Sequence, residues 1–151
     1  MNIVRAGMND HADAYAIVEE YCDAIDVVLR DDYAAVKRYL EDPAGIWLAR
    51  DGGTTFGCIA LLPLESIEGA CEVKRLYVRP SHRGRGAAHA LLDALHAHAR
   101  HAGYKWAYLD TKSDLLVAIR FYESRGYRRC ERYNANPQAT IFMRRGLEAA
   151  D

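Results

Sequence analysis

The stretch Tyr77 to Leu92, YVRPSHRGRGAAHALL, gathers residue types suited to holding an anion. A β-favouring segment meets Pro80, then Gly84 and Gly86 with Arg79, Arg83 and Arg85 beside them, and runs straight into an alanine- and leucine-rich helix. The first N–H groups of a helix have no partner inside it and attract negative charge. Glycines let a phosphate come close to the backbone, and a plain strand-to-helix turn needs one at most. The expected chemistry is phosphate binding by successive main-chain amides from Arg83 through Gly84, Arg85, Gly86 and Ala87 to Ala88. Arg79 and Arg85 would add charge at the rim.

Three phosphate-binding patterns can be set against this spacing. No lysine follows either glycine in the manner of G-x-x-x-x-G-K-[S/T], so nucleoside triphosphate hydrolysis has no support. A dinucleotide fingerprint starting at Gly84 and Gly86 would need a third glycine where His89 stands, and it normally opens the first β-α unit of a chain. A third pattern, R-x-x-G-x-A, is complete in Arg83, Gly86 and Ala88. With EVKRLYVRPSHRGRGAAHALL from Glu72, LDT at Leu109 to Thr111 and AIRFYESRGY from Ala118 to Tyr127, the chain resembles the GNAT superfamily of acyl-CoA-dependent N-acyltransferases. The element order extends that resemblance over essentially the whole length. It implies a mixed α/β fold: a mostly antiparallel sheet of six to seven strands flanked by about four helices. It also implies acetyl-CoA as co-substrate and a primary amine of a small molecule or peptide as acceptor.

By matching position, Leu76, Tyr77 and Val78 would pair their backbone with the pantetheine arm, and the Leu76 N–H would polarise the thioester carbonyl. A donor of that kind contributes about 3 kcal/mol to lowering the barrier. Freeing an alkyl amine from its ammonium form at neutral pH costs about 4 to 5 kcal/mol, so a base is required. Glu72 is the candidate. It lies four residues before Leu76, hence on the same strand face and roughly 13 Å along it, a gap for a bridging water. The competing role for Glu72 is a salt bridge with Lys74 or Arg75. Tyr122, in the block Phe121 to Tyr127, matches the family's proton donor to the departing thiolate, and a phenol is protonated at pH 7 without tuning. Many relatives carry asparagine where this chain has Leu115, so that cofactor contact is absent or replaced.

These groups need a scaffold. A short strand Ile3 to Arg5 precedes a helix capped by Asn9 or Asp10, with apolar Ala14, Ile17, Val18, Tyr21 and Cys22 at helical spacing. A second helical stretch from Leu29 or Asp31 through Tyr33, Val36, Lys37 and Leu40 ends at Asp42-Pro43-Ala44-Gly45. Strands Ile46 to Arg50 and Thr54 to Leu62 flank Asp51-Gly52-Gly53, and Cys71 to Val78 is a central strand. The helix from about Gly84 to Ala102 should pack Ala88, Leu91, Leu92, Leu95 and Ala99 on the sheet and present His89, Asp93, His96 and Arg100 to water. Tyr104 to Asp110 is a strand. Thr111 and Asp114 have capping-box spacing before a helix Leu115 to Arg125 that Gly126 closes. Strands Tyr127 to Tyr133 and Thr140 to Arg144 are joined by a turn Asn134 to Gln138.

Composition sets the outer bounds. At 151 residues with a formal charge of -1, the chain suits one domain, and no global field recruits a polyanion. An RNA-directed reading would have to rely on Arg128, Arg129 and Arg132, and no nucleic-acid partner is expected. Cys22, Cys58, Cys71 and Cys130 form no C-x-x-C pair, which fits a reduced, cytoplasmic setting. No apolar run approaches the roughly 20 residues of a membrane span, and Met1 to Arg5 lacks the start of a signal segment. Successive histidines in HAHARH point about 200° apart on a helix, so His96 and His98 cannot share an ion and no metal is expected. Acidic and aromatic residues of the first helices, Glu19, Glu20, Tyr21, Asp23, Asp26, Asp31, Asp32 and Tyr33, with Tyr133 and Asn134, would suit a cationic acceptor. The final strands could pair two copies into a homodimer. A non-catalytic acyl-CoA sensor is the alternative to an enzyme.

Overall fold

A computed structural model of the chain describes residues 1–148. Alternating and β-branched stretches form β1 (Asn2–Arg5), β2 (Gly45–Asp51), β3 (Thr54–Pro63), β4 (Ala70–Val78), β5 (Trp106–Thr111), β6 (Arg128–Arg129) and β7 (Ile141–Gly146). They make one seven-stranded sheet in the order β1-β2-β3-β4-β5-β7-β6. Each neighbouring pair is antiparallel except β4 with β5. The β2–β3 hairpin turns at Asp51-Gly52-Gly53 as expected, with Gly52 in the left-handed region.

Each face of the sheet buries its own core. Helices α1 (His11–Ala24) and α2 (Tyr33–Val36) cover one face, where Ala14, Ile17, Val18, Cys22, Val36 and Tyr39 meet Ile46, Leu48, Cys58, Ala60 and Tyr77. Helices α3 (Ala87–His101) and α4 (Leu116–Ser124) cover the other, where Leu91, Leu92, Leu95, Ile119 and Tyr122 meet Phe56, Ile59, Leu61, Cys71 and Val73.

Several local expectations are corrected. The second helical stretch is a single turn followed by a 3-10 segment Lys37–Leu40, because Asp32 accepts the Ala35 N–H and so starts the helix late. Helix α3 begins at Ala87, since Gly86 at φ 81 is left-handed and cannot continue a helix upstream. No Thr111–Asp114 capping box forms: Leu115 is the residue before α4, and its side chain makes no capping bond. Strand β6 is reduced to Arg128–Arg129, because Arg132 gathers the following segment into a loop through the carbonyls of Asn134, Asn136 and Ala139.

The polar face assigned to α3 is also narrower than its sequence implies. His96 is only 2% exposed and shares a 2.7 Å hydrogen bond between its Nε2 and the Tyr127 hydroxyl. Burial first, and then Arg145 and Arg100, depress this imidazole from 6.5 to about 4. The unfolded chain takes up the proton near pH 6.5, which the native state refuses until near pH 4. Stability from the neutral ring is therefore complete above about pH 6.5 and is lost as pH falls toward 4. The difference is worth about 3 kcal/mol. Urea unfolding at pH 7 and pH 4 should show a fall in stability that shrinks by about that amount in His96→Gln, which cannot titrate. An equal fall in the variant would assign the acid sensitivity elsewhere.

Candidate active site

The site opens where β4 parts from β5. Ala70, Cys71 and Glu72 pair with Trp106, Ala107 and Tyr108, and beyond Glu72 the register ends. Among the described residues, the rest of β4 is paired only with β3, Tyr77 opposite Cys58 and Val78 opposite Gly57. Leu76, Tyr77 and Val78 thus flank a wedge whose β5 side has no strand partner among the described residues, an edge able to accept an extended amide-bearing chain.

A bulge shapes that edge. Between the Cys58–Tyr77 and Ala60–Lys74 pairs, Arg75 and Leu76 oppose the single residue Ile59, and Arg75 takes φ 60. A bulge reverses the side-chain alternation of everything beyond it. Glu72 pairs with Leu62 on the α1 face, whereas Leu76 packs into the core under α3 and α4. The expectation that Glu72 and Leu76 share a face is therefore wrong, because an even spacing keeps its face only in an unbroken strand. Arg75 itself reaches the α1 side, where its Nη2 lies 3.1 Å from Asp31 Oδ2 and its Nε donates to the same oxygen at 3.2 Å. Both side chains are about nine-tenths buried, with exposures of 10% and 8%. The Tyr39 hydroxyl also donates to Asp31.

The glycine-arginine turn follows β4. Gly84 and Gly86 both stand at φ 81, a conformation costly to any residue with a Cβ, and a Cβ at either would meet no atom within 4 Å. The turn is therefore not glycine-rich for packing; the space in front of it is open. Among the described residues, the N–H groups of residues 84 to 88 find no acceptor, while the Ala90 N–H is the first to close a helical bond, on Gly86 O. Ala87 is buried beneath the turn and Arg85 is exposed. Arg83 Nε donates to Val78 O at 3.0 Å, which ties the turn to the strand end. Arg79 is paired with Glu20 through Nε at 2.9 Å, so its charge at the rim is already matched.

Glu72 is buried, with 9% exposure, at the mouth of the wedge. Its Oε2 accepts the Tyr133 hydroxyl at 2.7 Å and Asn134 Nδ2 at 3.2 Å. Asn134 Nδ2 also donates to Asp110 Oδ2 at 2.6 Å, so one amide bridges two carboxylates on neighbouring strands. Of the two cations named as salt-bridge partners, Lys74 stands 3.8 Å from Oε1, and Arg75 is committed to Asp31. Burial first, then Glu72, drives the Tyr133 phenol well above its usual range, so it stays a donor.

Tyr122 approaches from the opposite face. It is buried on α4 with edge contacts to Phe121 and Tyr127. Burial raises its phenol well above 10, with smaller contributions from Tyr21 and Asp110, residues of the other face felt across the sheet. Glu72 and Tyr122 thus stand on opposite faces with the wedge between them. Base and acid could then act on a group lying in the gap from two sides.

Among known proteins, the sequence profile of the Acetyltransferase (GNAT) family matches residues 9–127. The chain belongs to this family. An N-acetyltransferase of Schizosaccharomyces pombe is 37% identical over 143 residues, 89% of this chain and 87% of that one. N-acetyltransferase family 8 member 2 of Rattus norvegicus is 33% identical over 109 residues, and the match spans 70% of this chain but only 48% of the rat protein. A GNAT acetyltransferase structure from Staphylococcus aureus shares the fold at TM-score 0.83 and 20% identity, over 97% of this chain and 99% of that one. A structure from Salmonella typhimurium, solved with its cofactor acetyl-CoA, shares it at TM-score 0.74 and 19% identity, over 100% and 97%.

In this GNAT enzyme several of the acids expected at the entrance have structural partners. Asp31 is locked to Arg75, Asp32 caps α2 and Asp23 pairs with Arg30. Glu19, Glu20 and Asp23 line a cleft of about 350 Å³ together with Tyr15 and Ala16. Arg132 serves its own loop, while Arg128 and Arg129 lie exposed at the sheet edge. No group of three or more His, Cys, Asp or Glu among the described residues is arranged to hold a metal ion, and no helix among them is long and apolar enough to cross a membrane. Two features of the site have no signal in the sequence that assigns them this role: Asp110, which the LDT block contains but does not link to Asn134, and the Asp31–Arg75 pair, 44 positions apart.

Proposed function

We propose that this GNAT protein transfers the acetyl group of acetyl-CoA to a primary amine of a small molecule or peptide by direct attack in a ternary complex. The observation that carries the reading is the wedge. An unpartnered edge at Leu76 to Val78 leads to a turn whose five successive N–H groups, at 84 to 88, have no acceptor among the described residues, and a buried carboxylate and phenol flank it from opposite faces. The Salmonella neighbour's acetyl-CoA and the names of the relatives point the same way.

Acetyl-CoA supplies an activated thioester. The amides at 84 to 88 hold its pyrophosphate, and the backbone of Leu76 to Val78 pairs with its pantetheine arm. Glu72 takes a proton from the attacking amine as the N–C bond forms, using Oε1, which accepts from neither Tyr133 nor Asn134 and has only the Lys74 ammonium beside it, 3.8 Å away. The Leu76 N–H donates to the carbonyl oxygen as it gains charge. As the C–S bond breaks, Tyr122 passes its proton to the sulfur. Burial holds the phenol in its protonated form until that step.

Release of free thiol from acetyl-CoA across a panel of amines, amino acids, polyamines and peptides tests the reading. Tyr122→Phe should lower turnover by about 10²-fold or more on any accepted amine while acetyl-CoA affinity stays the same. Wild-type protein that binds acetyl-CoA yet releases no thiol with any member of a broad panel would favour a sensor.

A further inference from the structure

Residues 134 to 138, Asn-Ala-Asn-Pro-Gln, carry an amide side chain at every second position, and all three amides are used at both ends. Asn134 donates to Glu72 and Asp110, and its Oδ1 accepts the Asn136 N–H at 3.1 Å. Asn136 directs Nδ2 at Asp110 from 3.4 Å, and its Oδ1 accepts the Gln138 N–H at 3.1 Å. Gln138 then leaves the site. Its Oε1 accepts the Val28 N–H and its Nε2 donates to Asp26 O, both at 2.9 Å. Each amide therefore fixes the backbone of the next, and the last grips a loop more than a hundred positions away. Arg132 clasps the same segment from behind through the carbonyls of Asn134, Asn136 and Ala139.

The loop that Gln138 grips joins α1 to α2, and its tip is apolar and open: Val28 is 71% and Leu29 67% exposed. Its far side is held by the buried Asp31–Arg75 pair, and Arg75 is the bulge residue just before Leu76. Lys112, which follows β5, adds a bond from Nζ to Ile25 O. The loop is thus anchored to the two sides of the wedge and, through the amide relay, to the carboxylate in it.

We propose that residues 134 to 138 act as a strap coupling the α1–α2 loop to Glu72, with Gln138 as a remote positioning residue for the base. An acceptor that displaces Val28 and Leu29 shifts Gln138, and the relay transmits that shift to Asn134 and so to the orientation of Glu72. The purpose assigned to the strap rests on the acetyl-transfer reading; its mechanical coupling does not.

Hydrogen exchange measured by NMR on the intact chain reads the coupling at both ends. Gln138→Met keeps the length and removes both polar contacts with the loop. In this variant the Asn134 side-chain amide hydrogens should exchange about tenfold faster. In Asn134→Leu the Val28 N–H, which donates to Gln138 Oε1, should gain exchange by about the same factor. A purely local role predicts that each variant loosens its own contacts and leaves the far end unchanged, and that result would overturn the strap. Aminolysis of acetyl-CoA by methylamine forms the second arm. Gln138→Met should lower its rate severalfold with acetyl-CoA affinity unaltered, and an unaltered rate beside altered exchange would remove the strap's role in positioning the base. Wild-type protein inert toward both methylamine and the wider panel would count against acetyl transfer while the exchange data still judged the strap.

Discussion

Glu72→Gln should reduce thiol release from acetyl-CoA with an accepted amine by about 10² to 10⁴-fold while leaving calorimetric binding of acetyl-CoA intact. Glutamine is isosteric, and its carbonyl oxygen can still accept the Tyr133 hydroxyl and the Asn134 amide, so the local architecture should survive. What disappears is the capacity to take a proton. Raising the pH should restore part of the rate in the variant, because a larger share of the amine is then already neutral and the missing base matters less. A variant that keeps wild-type turnover at neutral pH would remove Glu72 from the chemistry and leave it a structural partner of Tyr133, Asn134 and Lys74.

Gly86→Val should abolish measurable acetyl-CoA binding at a modest cost in stability. A β-branched residue at φ 81 costs about 1 to 2 kcal/mol in backbone strain, but its Cβ would enter open space, with no atom beyond the chain neighbours within 4 Å. The added methyl groups would fill the space in front of the amides at 84 to 88. Hydrogen bonds to a charged acceptor are worth about 1.5 to 3 kcal/mol each, so losing two weakens binding by a hundredfold or more. Gly103→Val provides the control. Gly103 follows the far end of α3, at φ 92 and with equally empty surroundings, so it carries the same strain without the ligand. Calorimetry on both variants separates the effects: weak binding in both would trace the loss to instability, and normal binding in Gly86→Val would place the phosphates elsewhere.

The parts of the site legible in the sequence are those in which one short segment does the whole job. The turn from Arg83 to Ala88 is written locally, because left-handed glycines and a following amphipathic run are properties of neighbouring residues. Tyr122 is singled out by the resemblance of its block, and its burial follows from the apolar face of α4. His96 shows where periodicity fails. It stands on the edge of the α3 stripe, and only the Tyr127 hydroxyl waiting beneath it makes burial affordable.

Sequence alone determined that a mixed sheet would carry a glycine-arginine turn between a central strand and a long helix, and its resemblance to the family singled out Glu72 and Tyr122. Tertiary structure decided which way those groups face and what holds them. The bulge at Arg75 puts Glu72 and Leu76 on opposite faces, the parting of β4 from β5 creates the wedge, and partners 61 and 62 positions away fix the carboxylate. The physical reason is range. Helix starts and left-handed turns depend on a few adjacent residues, whereas register, bulges and cross-strand hydrogen bonds depend on which distant segments pack against one another.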